Sequence, residues 1–213
     1  MMDEQFWHRK WQQGETGFHQ ANPNPLLTRN LPALGLSPGG RFFLPLCGKT
    51  RDIHWLRANG FQVAGVELSP LAVEQLFAEL GIAPRISGAG SLQRHEADGL
   101  TIFAGDIFAL DHDELGHVDA VYDRAALVAL PAPTRTLYAA HLLTVTKRAP
   151  QLVITFDYDQ SRMEGPPFSV NEAEMRAHYE AAYRLICIES KNVDGGLKGI
   201  CPARETLWLL EPR

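Results

Sequence analysis

Cysteine is scarce: three in 213 residues, at positions 47, 187 and 201, with no C-x-x-C among them. Neither a disulfide framework nor a zinc site can be built on that spacing, so no metal is expected, and a reducing cytoplasm is the compartment that fits. Long apolar runs are missing too; none nears the ~18 residues that a membrane-crossing helix takes. The opening MMDEQFWHRKW is too charged for the apolar heart of a secretory signal. Basic blocks are absent and the formal net charge is −5. Nucleic acid and acidic membranes are therefore poor partners, and a small molecule is the expected one. With no repeat or low-complexity tract, 213 residues suit one monomeric domain over 1–213. It is read as an N-terminal helical lid segment over 1–40 and a core over 41–213.

Glycine is also missing where phosphate chemistry would need it. The stretch RFFLPLCGKTRDIHWLRANGFQVAGVE (41–67) runs from an apolar strand through a tight turn and a short amphipathic helix into a second apolar strand, which ends in an acid. That is the opening unit of a sheet that binds a nucleoside at the carboxyl ends of its strands. A dinucleotide loop would read G-x-G-x-x-G, yet the turn holds only Gly48, behind Pro45 and Leu46. A P-loop ending in Gly48-Lys49-Thr50 would need glycine at 43, where Phe43 stands. Glu67 lies 19 residues beyond Gly48, close to the ~20-residue spacing that sets a carboxylate against ribose hydroxyls. A nucleoside without phosphates is what remains. S-adenosylmethionine suits it, with a ribose diol for Glu67 and a zwitterionic tail for the backbone of Leu46, Cys47 and Gly48.

Further along, Ser69 as N-cap and Pro70 in the first turn start a helix over 69–80, with Val73, Leu76, Phe77 and Leu80 on one stripe. Residues 84–99, with Gly88, Gly90 and Ser91, read as a mobile loop. Strands are expected over Leu100–Ala104, Ala120–Asp123 and Gln151–Tyr158, and a helix over 133–147. Asn171-x-x-Glu174 has the form of a capping box. Two last strands near 183–192 and 204–210 form a terminal antiparallel pair. The whole is an α/β fold with a mostly parallel, seven-stranded sheet and helices on both faces.

Four strand ends then carry chemistry: Leu46-Cys47-Gly48, Glu67, Asp106-Ile107 and Asp123-Arg124. Arg124 either pairs with Asp123 or reaches the cleft, and the alternation of strand residues favours the cleft. Asp123 is the one candidate proton acceptor, against a purely structural role. Cys47 has no partner histidine in its loop and is read as a small residue beside the cofactor tail.

F-L-P-L-C-G-K-T-x-D-I-x-W-L (43–56), V-x-G-V-E-L-S (63–69), V-Y-D-R-A-A-L-V-A-L (121–130), G-P-P-F-S-V (165–170) and F-W-x-x-x-W-x-x-G-x-T-G-F-H (6–19) resemble the thiopurine S-methyltransferase family, and more its bacterial branch. The resemblance runs from residue 6 to about 210. It implies a Rossmann-like class I methyltransferase that uses S-adenosylmethionine and leaves S-adenosylhomocysteine. The implied acceptors are thiopurines and related aromatic or heterocyclic thiols, or selenium and tellurium species with a detoxifying outcome. By resemblance, Trp11, Leu46, Glu67 and Arg124 contact the cofactor, and Asp106 and Ile107 flank the adenine. Trp7 and Phe18 close over the reacting centre, and Phe168 lines the acceptor. Lys198 and Arg204 both stand near the family's distal basic position, so neither takes a role. The competing readings are a halide or thiol methyltransferase with the same motifs and, from another class, a nicotinamide-dependent oxidoreductase, which the single-glycine loop disfavours.

Overall fold

A computed structural model describes residues 4–17 and 19–213. The chain divides into two compact units, 3–120 and 121–213. In the first, α1 (Glu4–Gln12) and α2 (Pro25–Asn30) precede β1 (Arg41–Pro45), α3 (Arg51–Ala58), β2 (Gln62–Glu67) and α4 (Pro70–Leu80). Then come β3 (Arg85–Ala89), β4 (Leu92–Ala97), β5 (Leu100–Ala104) and the single turn α5 (His112–Leu115).

The strands of this unit lie in the order β3-β4-β5-β2-β1. β1, β2 and β5 are parallel, with Phe43 opposite Ala64 and Gly65 opposite Ile102. These three are almost continuously buried, which is why they read as unbroken apolar runs rather than as alternation. α4 starts as its sequence signals require: the Ser69 hydroxyl accepts from Ala72 N, proline follows in the first turn, and Gly81 at φ 67° closes the helix.

One expectation fails here. Residues 84–99 are a β-hairpin instead of a mobile loop: β3 and β4 pair antiparallel across a two-residue turn at Gly90-Ser91, and β4 joins β5 across Asp98-Gly99. Gly90 and Gly99 take φ of 58° and 67°, the backbone that tight hairpin turns demand. Between α1 and β1 the chain forms a further helix, α2. Asn24 makes it by accepting from Leu26 N at 2.8 Å, while its own N–H donates to buried Asp52 at 2.6 Å.

The second unit holds β6 (Ala120–Asp123) but for its first residue, then α6 (Ala126–Ala129), α7 (Ala132–Val145), β7 (Gln151–Tyr158), α8 (Glu172–Tyr179), β8 (Tyr183–Asn192) and β9 (Ala203–Pro212). Its strand order is β6-β7-β9-β8; β6 and β7 are parallel, while β9 runs antiparallel to both of its neighbours. Asn171 caps α8 by accepting from Glu174 N at 3.0 Å, but the Glu174 carboxylate goes to Arg135, so only half of the expected box forms. Among the described residues the strands therefore number nine, not seven, and they are mixed rather than mostly parallel. The hairpin of 85–97 supplies the extra pair. Among the described residues no helix is long and apolar enough to cross a membrane.

Candidate functional site

In the first unit, β1 ends in a turn with unusual backbone. Leu46 sits at φ 47° and Gly48 at φ 53°. The left-handed region is open to glycine but strained for leucine, a feature that concentrates at functional sites. Contacts on both sides hold the turn. Cys47 N donates to Val66 O at 3.0 Å, and Gly48 N donates to Glu67 Oε2 at 2.8 Å. The other Glu67 oxygen accepts from Ser69 N at 2.8 Å, and the Glu67 carbonyl accepts from Gly105 N at 2.9 Å. Glu67 is therefore a carboxylate bridging the ends of β1 and β2, one N–H on each oxygen.

Only 6 % of Glu67 is exposed. Burial pushes its carboxyl up to about 6, against the opposing pull of N–H groups from Ser69, Gly48 and Leu68. An ionised carboxylate offers about four lone-pair sites. With Gly48 N on one oxygen, Ser69 N on the other and Leu68 N drawing on the same group, it retains acceptor capacity for a ribose hydroxyl. Cys47 is buried as well, and its thiol is raised well above the ordinary range by burial and by the Glu67 charge. It is no activated nucleophile.

Trp11, on α1, lies over this turn. It is 4 % exposed, and a Cβ placed on Gly48 would come within 3.1 Å of its ring. Glycine at 48 thus serves both the backbone angle and the approach of the indole. Under the turn, a Cβ on Gly65 would meet Cys47 Sγ at 2.8 Å and Ile102 Cδ1 at 2.9 Å. Trp7 is half-buried and packs edge-on against Phe6 at 5.2 Å between centroids. Phe18 lies outside the described residues. Asp106 follows Gly105, whose N–H meets Glu67, and its side chain accepts from Phe108 N at 3.1 Å to start a 3-10 turn; Ile107 is buried. Lys49 donates to Glu79 at 2.6 Å, so the lysine of the Gly-Lys-Thr tripeptide is engaged in an ion pair, in keeping with the rejection of a phosphate loop. Trp11, Leu46, Cys47, Gly48, Glu67, Asp106 and Ile107 thus fall in one unit around three adjoining strand ends, those of β1, β2 and β5.

Asp123, Arg124 and Phe168 belong to the second unit. Asp123 is fully buried. One oxygen accepts from Ala126 N at 3.0 Å and Leu127 N at 3.2 Å, and the other accepts from the Tyr138 hydroxyl at 2.7 Å. Burial lifts its carboxyl to about 6, with the Tyr138 and backbone donors opposing. Arg124 is half-buried, as is Phe168. Three participants escaped sequence reasoning. Ser69 was visible only as a helix cap, and Tyr138 and Arg135 gave no signal beyond their place on the expected helix over 133–147.

The profile of the family described as "Thiopurine S-methyltransferase (TPMT)" matches residues 2–211. A protein named thiopurine S-methyltransferase from Xanthobacter autotrophicus is 54 % identical over 211 residues, covering 99 % of each chain. One of the same name from Gluconobacter oxydans is 52 % identical over 207 residues, covering 97 % of this chain and 94 % of its own. Among solved structures, a SAM-dependent methyltransferase from Anabaena variabilis aligns with a TM-score of 0.70 at 14 % identity, over 100 % of this chain and 96 % of that one. Magnesium protoporphyrin IX methyltransferase from Synechocystis, solved with bound SAH, aligns at 0.65 and 14 % identity, over 99 % and 100 %. At such identities these two speak for the fold alone.

Proposed function

The chain belongs to the thiopurine S-methyltransferase family, whose methyl donor is S-adenosylmethionine, and on that premise we propose that it methylates the sulfur of flat aromatic or heterocyclic thiols, thiopurines included. When bound, S-adenosylmethionine supplies an electrophilic methyl on a sulfonium. In this reading Glu67 takes the ribose diol, with charge-assisted bonds stronger than neutral ones. The backbone of Leu46, Cys47 and Gly48 receives the methionine tail, Asp106 and Ile107 flank the adenine, and Trp11 holds the turn from above. Arg124 favours the thiolate form of the acceptor or binds the cofactor carboxylate. Trp7, Phe18 and Phe168 line the acceptor. The protein then orients sulfur against methyl and excludes water, and no strong general base is required. Asp123 acts as a structural carboxylate, since it is fully buried and held by Ala126, Leu127 and Tyr138.

The observation that carries this reading is the buried Glu67 carboxylate, fixed by Gly48 and Ser69 with acceptor capacity to spare. All three cysteines are free thiols, which supports a reducing, cytoplasmic setting. Initial rates with S-adenosylmethionine and 6-mercaptopurine, iodide or selenite test the reading. Turnover of the thiol is expected. Methylation of iodide without any of the thiol moves the acceptor to a halide, and no transfer to any of the three overturns the assignment.

A further inference from the structure

Arg135, on α7, is 5 % exposed, which is rare for a guanidinium and requires partners. Its Nε donates to Glu174 at 2.6 Å and its Nη1 to the Leu130 carbonyl at 2.8 Å. The remaining face meets an aromatic ring: Cζ stands 5.7 Å from the centroid of Phe168, within the ~6 Å over which a cation is attracted to a ring.

The segment carrying Phe168 is held independently of Arg135. Phe168 N donates to Val128 O at 2.6 Å, the Tyr158 hydroxyl to Pro167 O at 2.7 Å, and Lys198 Nζ to Pro166 O at 2.7 Å. Ser169 N donates to Gln160 Oε1 at 2.8 Å. At Gly165, φ is 87° and a Cβ would fall 2.6 Å from the Phe168 ring, so the ring occupies space that only glycine leaves open. The backbone is already fixed by other bonds, and a buried cation is spent on the ring's orientation. Yet Phe168 stays only half-buried. A ring held this firmly and left partly uncovered is suited to meeting a flat, apolar partner.

We propose that Arg135 is a positioning residue for the methyl acceptor: it holds the Phe168 ring as a rigid wall and thereby sets the preference for aromatic over small acceptors. The inference rests on the acceptor-side role given to Phe168 above. Arg135 touches neither acceptor nor cofactor; it acts through Phe168.

The test compares wild type, Arg135→Lys, Phe168→Leu and the double variant, with an aromatic thiol and with selenite as acceptors. Lysine keeps the charge but loses the planar fork that pairs with Glu174 while facing the ring. In Arg135→Lys, KM for the aromatic thiol is expected to rise about fivefold, with kcat within about twofold of wild type. The KM values for selenite and S-adenosylmethionine stay put. Phe168→Leu gives the same selective rise, and adding Arg135→Lys to it changes nothing more, because the route through the ring is already cut. An unmoved aromatic KM, an equal rise for selenite or the cofactor, or additive effects in the double variant overturn the inference. Should Arg135→Lys fail to fold, Phe168→Leu alone decides, since an unchanged aromatic KM there removes the wall. Wild-type protein that methylates no thiol overturns the parent reading and this one together, whereas thiol turnover with no selective response overturns this one only.

Discussion

Glu67 and Asp123 look alike in the sequence: each is the acid that ends an apolar parallel strand. In the structure both are buried and both have a carboxyl lifted to about 6, chiefly by that burial. They part company in their donors. Glu67 takes one backbone N–H on each oxygen, from Gly48 and Ser69, in two different segments. Asp123 takes two N–H groups on one oxygen and the Tyr138 hydroxyl on the other. Glu67 keeps a little exposure, 6 %, where two strand ends meet, whereas Asp123 keeps none. A raised pKa does not tell a binding carboxylate from a structural one; the remaining exposure and the segments that supply the donors do.

That contrast can be attacked directly. The largest effect is expected from Asp123→Ala, which strands two backbone N–H groups and a buried hydroxyl: urea unfolding should show a loss of about 3–5 kcal/mol. Next comes Glu67→Ala, which should weaken S-adenosylhomocysteine binding by roughly 1.5–3 kcal/mol by calorimetry, the scale of hydrogen bonds to a charged group. If the two variants exchange effects, with Asp123→Ala losing ligand and Glu67→Ala losing only stability, the comparison is broken.

A third expectation concerns pH. A carboxyl with a raised native pKa holds its proton more tightly folded than unfolded, so its contribution to folding stability declines as pH rises from its ordinary 4.5 to about 6 for Glu67, and from 3.8 to about 6 for Asp123. Ligand binding runs the opposite way at Glu67, because the ionised form is the better acceptor. S-adenosylhomocysteine affinity should fall as pH drops through about 6, by up to about tenfold per unit, and Glu67→Gln should flatten that titration. A pH-independent affinity in wild type would separate Glu67 from the ligand. The smallest effect is Tyr138→Phe, which removes one of three donors to Asp123: a loss of about 1 kcal/mol in unfolding free energy, with ligand affinity untouched.

The parallel strands were legible because they are buried on both faces and so appear as uninterrupted apolar runs, with bounds at Leu100–Ala104, Ala120–Asp123 and Gln151–Tyr158 that the structure reproduces. Helix starts were legible because Ser69-Pro70 and Asn171 are local chemistry. The hairpin of 85–97 was misread for the converse reason. β3 is largely exposed, β4 is only partly buried and neither carries much apolar pattern, so the turn residues Gly90-Ser91 and Asp98-Gly99 were the main signals, and they also mark loops. At the site, Glu67 and the Leu46–Gly48 turn were readable from spacing. The partners that decide what each acid does were not. Tyr138 stands 15 residues from Asp123 and Glu174 stands 39 from Arg135, and helical periodicity reports which residues face inward without naming what they meet.

The state of Cys47 has a bearing on self-inflicted damage. A thiolate beside an alkylating cofactor would compete with the intended acceptor and could inactivate its own protein. Burial and the neighbouring negative charge of Glu67 keep this sulfur protonated and therefore a poor nucleophile. The acid proposed to grip the sugar thus also quiets the nearest sulfur of the turn, so that proposal gives a single carboxylate two tasks, recruiting the methyl donor and guarding the scaffold against it.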